Sequence, residues 1–317
     1  MPTPLPQLTV PLVSFSAEDP GGWGHLFARA RAADTAGVDR LTCSDHVVYG
    51  ENLEAYGKAE NGGSEGGVQP TGPDGHWLDP FTTLSVVAGM TSRVRLRTQI
   101  LLAALRRPVV LAKCAATLDV LSGGRLDLGV GVGWQREEYE AAGLQFEGRG
   151  RLLDHTLEVC QTLWRERRAS YSSPELTFKN IHQMPKPLQS GGVPFWISGT
   201  IRGSTVRRLT HFGLRWIPWG ADAANLMESV PRLKEALAKA GGDADALQVV
   251  GRIRLPRTPF DMDGVRRTMD HVPEQVKLGI TDFVLEGSIP KEESAAQDLL
   301  SEVVAVFREV AGREPVG

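Results

Sequence analysis

Short apolar runs alternate with amphipathic stretches along the whole chain, and the two patterns predict different elements. A short continuous apolar run between turn residues indicates a buried strand, whereas apolar residues spaced three and four apart indicate a helix. Eight runs are predicted to be strands, at residues 8–13, 38–43, 94–102, 125–132, 193–197, 214–218, 247–253 and 282–285. A predicted helical segment follows each strand, at residues 23–36, 79–91, 109–121, 137–142, 150–165, 205–212, 221–240, 265–278 and 294–310.

Local signals set several of these boundaries. Gly37 directly follows the first predicted helix, where glycine readily takes the left-handed conformation that ends a helix. Asp79 and Pro80 open the second helix as an N-cap and a first-turn proline. The third helix is entered through Pro108.

Strands that alternate with helices favour a parallel sheet, and eight such units predict closure into a (β/α)8 TIM barrel of the α/β class. An open, doubly wound sheet is the alternative. No shift in composition and no linker divides the sequence, so residues 1–317 are predicted to form a single barrel domain. Two segments near 49–77 and 166–192 exceed ordinary connections, and we expect them to be insertions at the C-terminal face of the barrel.

The fourth predicted strand has an unusual glycine pattern. Gly129, Gly131 and Gly133 alternate with larger apolar residues, so one face of the strand has almost no side chains. A strand gives up packing in this way where another body approaches its backbone closely. The pattern alone leaves two interpretations open, which are a tight contact with a helix and a flat ligand lying against the sheet end.

The composition is that of a globular protein, with 41% hydrophobic and 23% charged residues among 317. The net charge of −3 and the lack of a basic stripe in the sequence give no reason to expect nucleic acid. The apolar runs are too short to cross a bilayer, and the first residues do not resemble a signal peptide. The three cysteines are widely spaced and fit reduced thiols. We therefore expect a cytoplasmic protein without membrane contact.

In a TIM barrel the active site lies at the C-terminal ends of the strands, so residues that follow the predicted strands are the candidates. Asp45 and His46 follow the second strand. An imidazole at that position is suited to proton transfer near neutral pH. Many Asp-His pairs merely cap turns, and the dipeptide alone leaves that interpretation open. The candidates at other strand ends are Gln99, Ile100, Gly131, Gly133 and Ser198.

Residues 198–204 lie between the fifth strand and the next helix and are rich in small side chains. Their backbone N–H groups, the helix N-terminus and Arg202 together predict a phosphate-binding loop. The segment matches neither the Walker A motif nor Gly-x-Gly-x-x-Gly. A plain turn capped by Ser204 or Thr205 is the alternative. No Ser-His-Asp order, Cys-His dyad or metal-ligand spacing stands out in the sequence, so there is no case for a hydrolase or a metalloenzyme.

Taken together, these residues resemble the bacterial luciferase-like monooxygenase family, which comprises flavin- or deazaflavin-dependent (β/α)8 barrels. The most specific block is 116–139, which contains the glycine-alternating strand and ends in Trp134-Gln-Arg-Glu-Glu-Tyr139. Further blocks match in the order of the family, at residues 36–39, 44–46, 98–108, 143, 149–151, 153–158, 163–164, 184–187 and 194–199. The resemblance spans roughly residues 8–220, and the last quarter of the chain is less distinctive.

The resemblance implies a flavin-like cofactor over the mouth of the barrel. In the family, the third strand carries a non-proline cis peptide bond behind the cofactor ring, which falls here between Gln99 and Ile100. Glu137 falls near the position that faces the ring edge and is implied as a catalytic residue. The implied phosphate-binding residues are Gly199, Thr200, Ile201 and Arg202.

Asp45 and His46 resemble the pair beside the deazaflavin in the coenzyme F-420-dependent branch, which implies roles for both in catalysis and cofactor binding. This favours hydride transfer between coenzyme F-420 and a small organic substrate. The alternatives are an FMN-dependent monooxygenase and a non-catalytic flavin-binding barrel. The resemblance also implies a homodimer and a separate flavin or deazaflavin reductase as a partner. We expect the substrate pocket to be lined by residues 49–76, Trp134 and residues 166–192.

Overall fold

The computed structural model of the protein describes residues 5–256 and 261–314. Its strands are β1 (Gln7–Pro11), β2 (Phe15–Ser16), β3 (Arg40–Cys43), β4 (His76–Trp77), β5 (Arg95–Leu101), β6 (Leu126–Val130), β7 (Ala169–Ser172), β8 (Thr177–Ile181), β9 (Phe195–Gly199), β10 (Arg215–Pro218), β11 (Gln248–Arg254) and β12 (Ile280–Glu286). Its α-helices are α1 (Gly24–Ala36), α2 (Pro80–Met90), α3 (Pro108–Leu121), α4 (Arg136–Ala141), α5 (Arg149–Arg165), α6 (Gly203–Phe212), α7 (Ala221–Ala224), α8 (Leu226–Lys239), α9 (Met262–Thr268), α10 (Val272–Leu278) and α11 (Glu293–Val310).

The eight predicted strands form one closed parallel barrel in the order β1-β12-β11-β10-β9-β6-β5-β3. β1 closes the barrel, because Thr9 pairs with Arg40 of β3 on one side and with Val284 of β12 on the other. At least one helix connects each pair of consecutive barrel strands, as parallel pairing requires. The predicted (β/α)8 barrel is confirmed, and the open-sheet alternative is wrong.

The local signals at the helix ends also act as predicted. Asp79 caps α2, since its Oδ1 atom accepts the N–H of Thr82 at 2.8 Å. Gly37 ends α1 in the left-handed conformation, with φ at 86°. Every residue of β3 and β6 is buried, including the charged Arg40 and Asp127, as expected for barrel strands that are covered on both faces.

Two predicted helices are each divided in two. The predicted helix 221–240 is interrupted at Asn225, which leaves the helical region with φ −135° and ψ 81°. The predicted helix 265–278 is divided into α9 and α10, and Pro273 lies in the first turn of α10. A proline in a helix interior would remove a hydrogen bond and clash with the preceding turn, so a new helix begins there.

The main hydrophobic core lies between the barrel and the surrounding helices. α1 buries a series of alanines against it, and these small side chains allow α1 and α11 to pack closely. A second apolar cluster fills the inside of the barrel and consists of Trp196, Ile217, Val250 and Val284. Ile100 packs against this inner cluster, so packed side chains lie directly beneath the C-terminal end of β5.

Residues 49–77 cross the C-terminal face of the barrel. The indole N–H of Trp219, just after β10, donates to the carbonyl oxygens of Gly62 and Gly63 at 3.1 and 3.2 Å. At the far end of the segment, β4 pairs with β2, and Trp77 stacks on Phe15 with ring centroids 4.3 Å apart. This segment therefore lies where the sequence predicts an insertion.

Residues 166–192 do not fold back over the same face. They contain the hairpin β7–β8, which packs on the outer helix α5, where the hydroxyl of Tyr171 donates to Glu158 at 3.0 Å. Phe178 and Ile181 pack against the main core and hold the hairpin to the outside of the barrel. The prediction that this segment lines the substrate pocket is wrong, because the burial of these apolar side chains decides where it lies.

Within the described ranges, no helix combines the length and the apolar character needed to span a membrane. Over the same residues, no group of three or more His, Cys, Asp or Glu side chains is arranged to hold a metal ion. Cys43 and Cys160 are buried free thiols, and Cys114 is an exposed one.

Candidate active site

A cavity of about 310 Å³ lies at the C-terminal ends of the barrel strands. The segment 49–77 forms one of its walls. The strand-end residues predicted from the sequence that line it are Ser44, Asp45, His46, Gln99, Ile100, Gly131, Gly133, Trp134, Ser198 and Gly199. The lining residues that complete it are Phe15, Tyr56, Gly62, Gln69, Pro70, Trp77, Leu102, Val132 and Trp219. The structure therefore brings most of the predicted site together.

His46 is fixed by a buried glutamate one residue beyond the predicted one. The Nδ1 atom of His46 lies 3.2 Å from Oε2 of Glu138, and Oε1 of Glu138 accepts the N–H of Val47 at 2.9 Å. The side chain of Glu138 is only 1% exposed. The carboxylate therefore holds the imidazole in one orientation and leaves Nε2 as the ring nitrogen outside this contact.

Glu137 does not line the cavity. Its side chain lies against Gly50, where a Cβ atom built on the glycine would be 2.4 Å from Cγ of Glu137. A helix turns by about 100° per residue, so neighbouring glutamates of α4 point in different directions. The burial of Glu138 and Tyr139 beside the exposed Arg136 shows which face of α4 meets the barrel. Glu138, and not Glu137, is therefore the glutamate of α4 that contacts His46.

Asp45 is held by Arg106 in a two-pronged ion pair. Its Oδ2 and Oδ1 atoms accept from the guanidinium at 2.6 and 3.0 Å, and Oδ2 also accepts the N–H of Leu102 at 2.8 Å. Burial favours a lower pKa for Arg106, but Asp45 and Asp79 outweigh it and raise the pKa. Asp45, which follows β3, thus bonds to Leu102 and Arg106, which follow β5. These bonds position the loop that carries His46.

The end of β5 forms a bulge beside the glycine-rich strand. The peptide bond between Gln99 and Ile100 is cis, as the family resemblance implies. The register between β5 and β6 shifts at this place. A Cβ atom on Gly129 would be 2.1 Å from the carbonyl oxygen of Thr98, and one on Gly131 would be 2.4 Å from Cδ1 of Ile100. Gly129 therefore leaves room for the neighbouring strand β5. Gly131 and Gly133, which follow β6, form part of the cavity wall.

The predicted phosphate-binding loop follows β9. Gly199 has φ at 151°, and α6 begins at Gly203 without a capping side chain, so the cap by Ser204 or Thr205 that the alternative interpretation requires is absent. The first-turn N–H groups of such a helix point at any anion placed there. The N–H of Ile201 is already taken, because it donates to Oδ2 of Asp222 at 2.6 Å. Thr200 and the exposed Arg202 also belong to this loop, outside the cavity lining.

Aromatic side chains surround the mouth of the cavity. The ring of Tyr56 lies edge-on to Trp134 and to Trp219, with centroid distances of 5.4 and 5.9 Å. The ring of Tyr49 lies 4.4 Å from that of His46. Burial raises the pKa of Tyr49, so its phenol stays neutral. The sequence analysis predicts Trp134 and the segment that carries Tyr49 and Tyr56 as parts of this wall. The packing of Tyr56 against Trp219 could not be predicted, because the two residues come from separate connections.

Residues 10–255 match the family model for luciferase-like monooxygenases. The chain belongs to this family. An uncharacterized protein of Mycobacterium tuberculosis is 32% identical to this luciferase-like protein over 207 residues, which are 65% of this chain and 68% of that protein. Pyrimidine monooxygenase RutA of Cronobacter sakazakii is 31% identical over 119 residues, which are 36% of this chain and 35% of that enzyme.

Solved structures share the fold of this luciferase-like protein. Monooxygenase RslO1 from Streptomyces bottropensis matches with a TM-score of 0.70 and 20% identity, over 94% of this chain and 98% of that one. An F-420-dependent secondary alcohol dehydrogenase in complex with an F-420-acetone adduct matches with a TM-score of 0.70 and 16% identity, over 96% and 99% of the two chains. The family membership makes the chain an enzyme of the oxidoreductase and monooxygenase class.

Proposed function

We propose that this luciferase-like protein is a coenzyme F-420-dependent oxidoreductase that transfers a hydride between the deazaflavin and a small organic substrate. The observation that carries the proposal is His46 on the cavity wall, held at Nδ1 by the buried carboxylate of Glu138. A fixed imidazole at a strand end is suited to give or take the proton that accompanies a hydride. The shared fold with an F-420-dependent alcohol dehydrogenase supports this reaction class.

The residues present fit a flat cofactor that carries a phosphate. Gly131 and Gly133 leave part of the cavity wall as bare backbone, and Ile100 adds an apolar surface beside them. The uncapped first turn of α6 and the guanidinium of Arg202 would hold the phosphate. Gly199 and Thr200 complete that loop. Asp222 occupies the Ile201 N–H, so this amide is left out of the proposed phosphate contacts.

When bound, the deazaflavin supplies the carbon that accepts or donates the hydride. Glu138 keeps the imidazole of His46 in place, and His46 exchanges a proton with the substrate through Nε2. Tyr56, Trp134 and Trp219 exclude water from the cavity and offer flat apolar surfaces to a small organic substrate. In this proposal Asp45 acts on the reaction only by positioning the loop that carries His46.

An FMN-dependent monooxygenase that inserts oxygen into a small organic substrate is the second candidate. It is favoured by the 31% identity to pyrimidine monooxygenase RutA, which spans 36% of the chain. That function would require reduced flavin from a separate reductase. For either candidate, a single barrel domain over residues 1–317, a homodimer and a cytoplasmic location stay predictions.

Titration with the two cofactors tests the proposal. Quenching of tryptophan fluorescence is expected to give a micromolar dissociation constant for coenzyme F-420 and binding of FMN that is at least about tenfold weaker. The variant Arg202→Gln should weaken F-420 binding by about tenfold, since it removes one charge-assisted contact to the phosphate. The variant Arg168→Gln is a matched control, because Arg168 is exposed and lies outside the cavity lining. Tight FMN binding with little F-420 binding would overturn the proposal in favour of the monooxygenase.

A further inference from the structure

A second cavity of about 310 Å³ lies at the opposite, N-terminal end of the barrel. We call it the basal pocket. The polar residues of its lining include Gln7, Arg40, Arg95, Asp127, Arg215 and Gln248. Several of these residues begin a barrel strand, namely Gln7, Arg40, Arg95, Arg215 and Gln248. The active-site cavity shares no lining residue with the basal pocket.

Positive charge exceeds negative charge in and directly above the basal pocket. Two carboxylates, those of Asp127 and Asp282, form ion pairs with three arginines there. Asp127 bonds to Arg40 and Arg95 at 3.1 and 2.7 Å, and Asp282 bonds to Arg40 and to the fully buried Arg97. Each carboxylate is therefore already shared between two guanidinium groups.

A fourth arginine, Arg215, has no bonding partner among the described residues. Within residues 5–256 and 261–314, the guanidinium of Arg215 makes no ion pair and no side-chain hydrogen bond, although the residue is partly buried at the pocket wall. Burial lowers the pKa of Arg215, and the nearby Arg95 lowers it further, while Asp127 acts in the opposite direction. A guanidinium in this position lacks a counter-ion, and partly buried charges normally have one.

Two other carboxylates near the pocket, those of Asp39 and Asp119, already bond to other groups. Asp39 is bonded to Arg313 at 2.6 and 3.1 Å and to the N–H of Leu8. Asp119 accepts the N–H of Leu188 at 2.8 Å and the side-chain amide of Gln189 at 2.8 Å. Neither oxygen pair reaches Arg215, so the described part of the chain does not supply the missing negative charge.

Unsatisfied donors lie around the same place. The Nε atom of Arg40, Nε and Nη1 of Arg97 and Nε1 of Trp196 are buried without a hydrogen-bond partner among the described residues. The ring of Trp196 lies under the guanidinium groups of Arg40 and Arg97, with distances of 5.1 and 4.5 Å to the ring centroid. A buried donor without an acceptor is costly, and arginine forks match the oxygens of phosphate and carboxylate groups.

We propose that the basal pocket is a binding site for a small oxyanion, which carries a phosphate or a carboxylate group. Arg215 is the principal contact, and Arg40 and Arg95 add positive charge from the opposite side of the pocket. Gln7 and Gln248 offer further amide donors at its rim. Such an anion supplies the missing counter-charge and stabilises the folded barrel, because it binds only where the strand ends bring the arginines together.

Calorimetric titration of the full chain with inorganic phosphate, and separately with malonate, tests this site in a buffer free of other oxyanions. Binding of one ligand but not the other identifies the phosphate or the carboxylate as the group recognised. We expect Arg215→Gln to weaken that binding by at least about tenfold, while Arg168→Gln on the outer surface leaves it unchanged. Binding that Arg202→Gln abolishes and Arg215→Gln leaves intact belongs to the loop before α6 and would overturn the proposal. Failure of the native chain to bind either anion would also overturn it.

Thermal unfolding separates loss of the site from loss of the fold. In anion-free buffer, Arg215→Gln is expected to be at least as stable as the native chain, because it removes an unpaired and partly buried charge. The ligand that binds in the calorimeter should raise the melting temperature of the native chain and not that of this variant. If Arg215→Gln does not fold, Arg215→Lys takes its place, since it keeps the charge but loses the planar fork and should bind at least about tenfold more weakly. A native-like melting shift in the folded variant would contradict the proposal.

Discussion

Nδ1 of His46 lies 3.2 Å from Oε2 of Glu138, a contact that joins the end of β3 to α4 across 92 residues of sequence. The glutamate is buried, and its second oxygen accepts the N–H of Val47 beside the same histidine. Both oxygens of one carboxylate therefore act on one short stretch of chain. This arrangement fixes the imidazole before any ligand binds, and the proposed proton transfer requires such a fixed group.

Replacement of Glu138 by glutamine should impair turnover more than binding. A carboxylate accepts from both the His46 ring and the Val47 N–H, whereas one amide accepts through its oxygen and donates through its nitrogen. Glu138→Gln must therefore lose one contact or reverse the ring tautomer. We expect kcat to fall by at least about tenfold with little change in KM, and the pH profile of kcat to change shape. Steady-state kinetics between pH 5 and pH 9 is the measurement.

The neighbouring residue provides the matched control. Glu137→Gln makes the same chemical change on the same helix, but the side chain lies against Gly50 and outside the cavity. It should leave kcat and its pH profile unchanged. His46→Ala should lower kcat by roughly 100-fold while cofactor binding persists. Equal losses for Glu137→Gln and Glu138→Gln would contradict the positioning role of Glu138.

Trp219 is predicted to hold the segment 49–77 over the mouth of the cavity. Trp219→Phe keeps an aromatic ring but removes the N–H that donates to Gly62 and Gly63. Loss of this shared hydrogen bond costs about 1 kcal/mol, which corresponds to about fivefold more frequent opening of the segment. Limited proteolysis should show cleavage within residues 58–68 at a rate several times higher than in the native chain.

A tryptophan on the outside of the barrel serves as the control for this change. Trp164 also donates its indole N–H to a carbonyl oxygen, that of Ala112 at 2.9 Å, but it lies between the outer helices α3 and α5. Trp164→Phe should lower the free energy of unfolding by a similar amount without faster cleavage at 58–68. If both variants are cut there at the same rate, the contact of Trp219 does not hold the segment.

Much of the fold could be predicted from the sequence because each barrel strand is covered on both faces. All residues of β3 and β6 are buried for that reason, and the caps at Gly37 and Asp79 are local signals. The hairpin β7–β8 could not be located in this way. Its position depends on which surface Phe178 and Ile181 pack against, and that information lies in distant parts of the chain.

The candidate site was predictable only in part. Strand ends converge in a barrel, so His46 and Gly131 could be placed at one cavity without any knowledge of side-chain packing. The choice between Glu137 and Glu138 depends on how a helix of six residues is rotated, and two adjacent acidic residues leave that open. Arg97 and Asp282 look like surface charges in the sequence. They are buried because they meet inside the barrel, which pairs residues 185 positions apart.

The glycine at the start of the bare strand face should tolerate no side chain. A Cβ atom at Gly129 would lie 2.1 Å from the carbonyl oxygen of Thr98, which is backbone and cannot rotate away. Gly129→Ala should lower the free energy of unfolding by about 3 kcal/mol, measured by urea denaturation. Gly89→Ala is the control, because Gly89 lies on the exposed face of α2 with no atom within 4 Å, and it should stabilise the protein by about 0.5 kcal/mol. Equal effects of the two substitutions would contradict the close approach of β5 and β6.

Asp34 near the end of α1 binds three consecutive amides that directly precede β5. Its oxygens accept the N–H groups of Ser92, Arg93 and Val94 at 2.8, 2.9 and 2.7 Å. An asparagine at this position would place its own donor against one of these amides. We therefore expect Asp34→Asn to lower the free energy of unfolding by about 2 kcal/mol at pH 7. Asp298→Asn, on the exposed face of α11, should change it by less than about 0.5 kcal/mol.

The same comparison has a defined pH dependence. Burial of Asp34 acts to raise its pKa, but the three backbone N–H groups and the hydroxyl of Ser92 outweigh burial and lower the pKa. A carboxyl group with a depressed pKa in the folded state contributes its stability above about pH 4 and loses it as the pH falls through the folded pKa. The advantage of the native chain over Asp34→Asn should therefore be constant from pH 7 to about pH 5 and shrink below about pH 4. Urea denaturation at each pH measures this difference, and an advantage that grows on acidification would show that the hydrogen bonds do not favour the charged carboxylate.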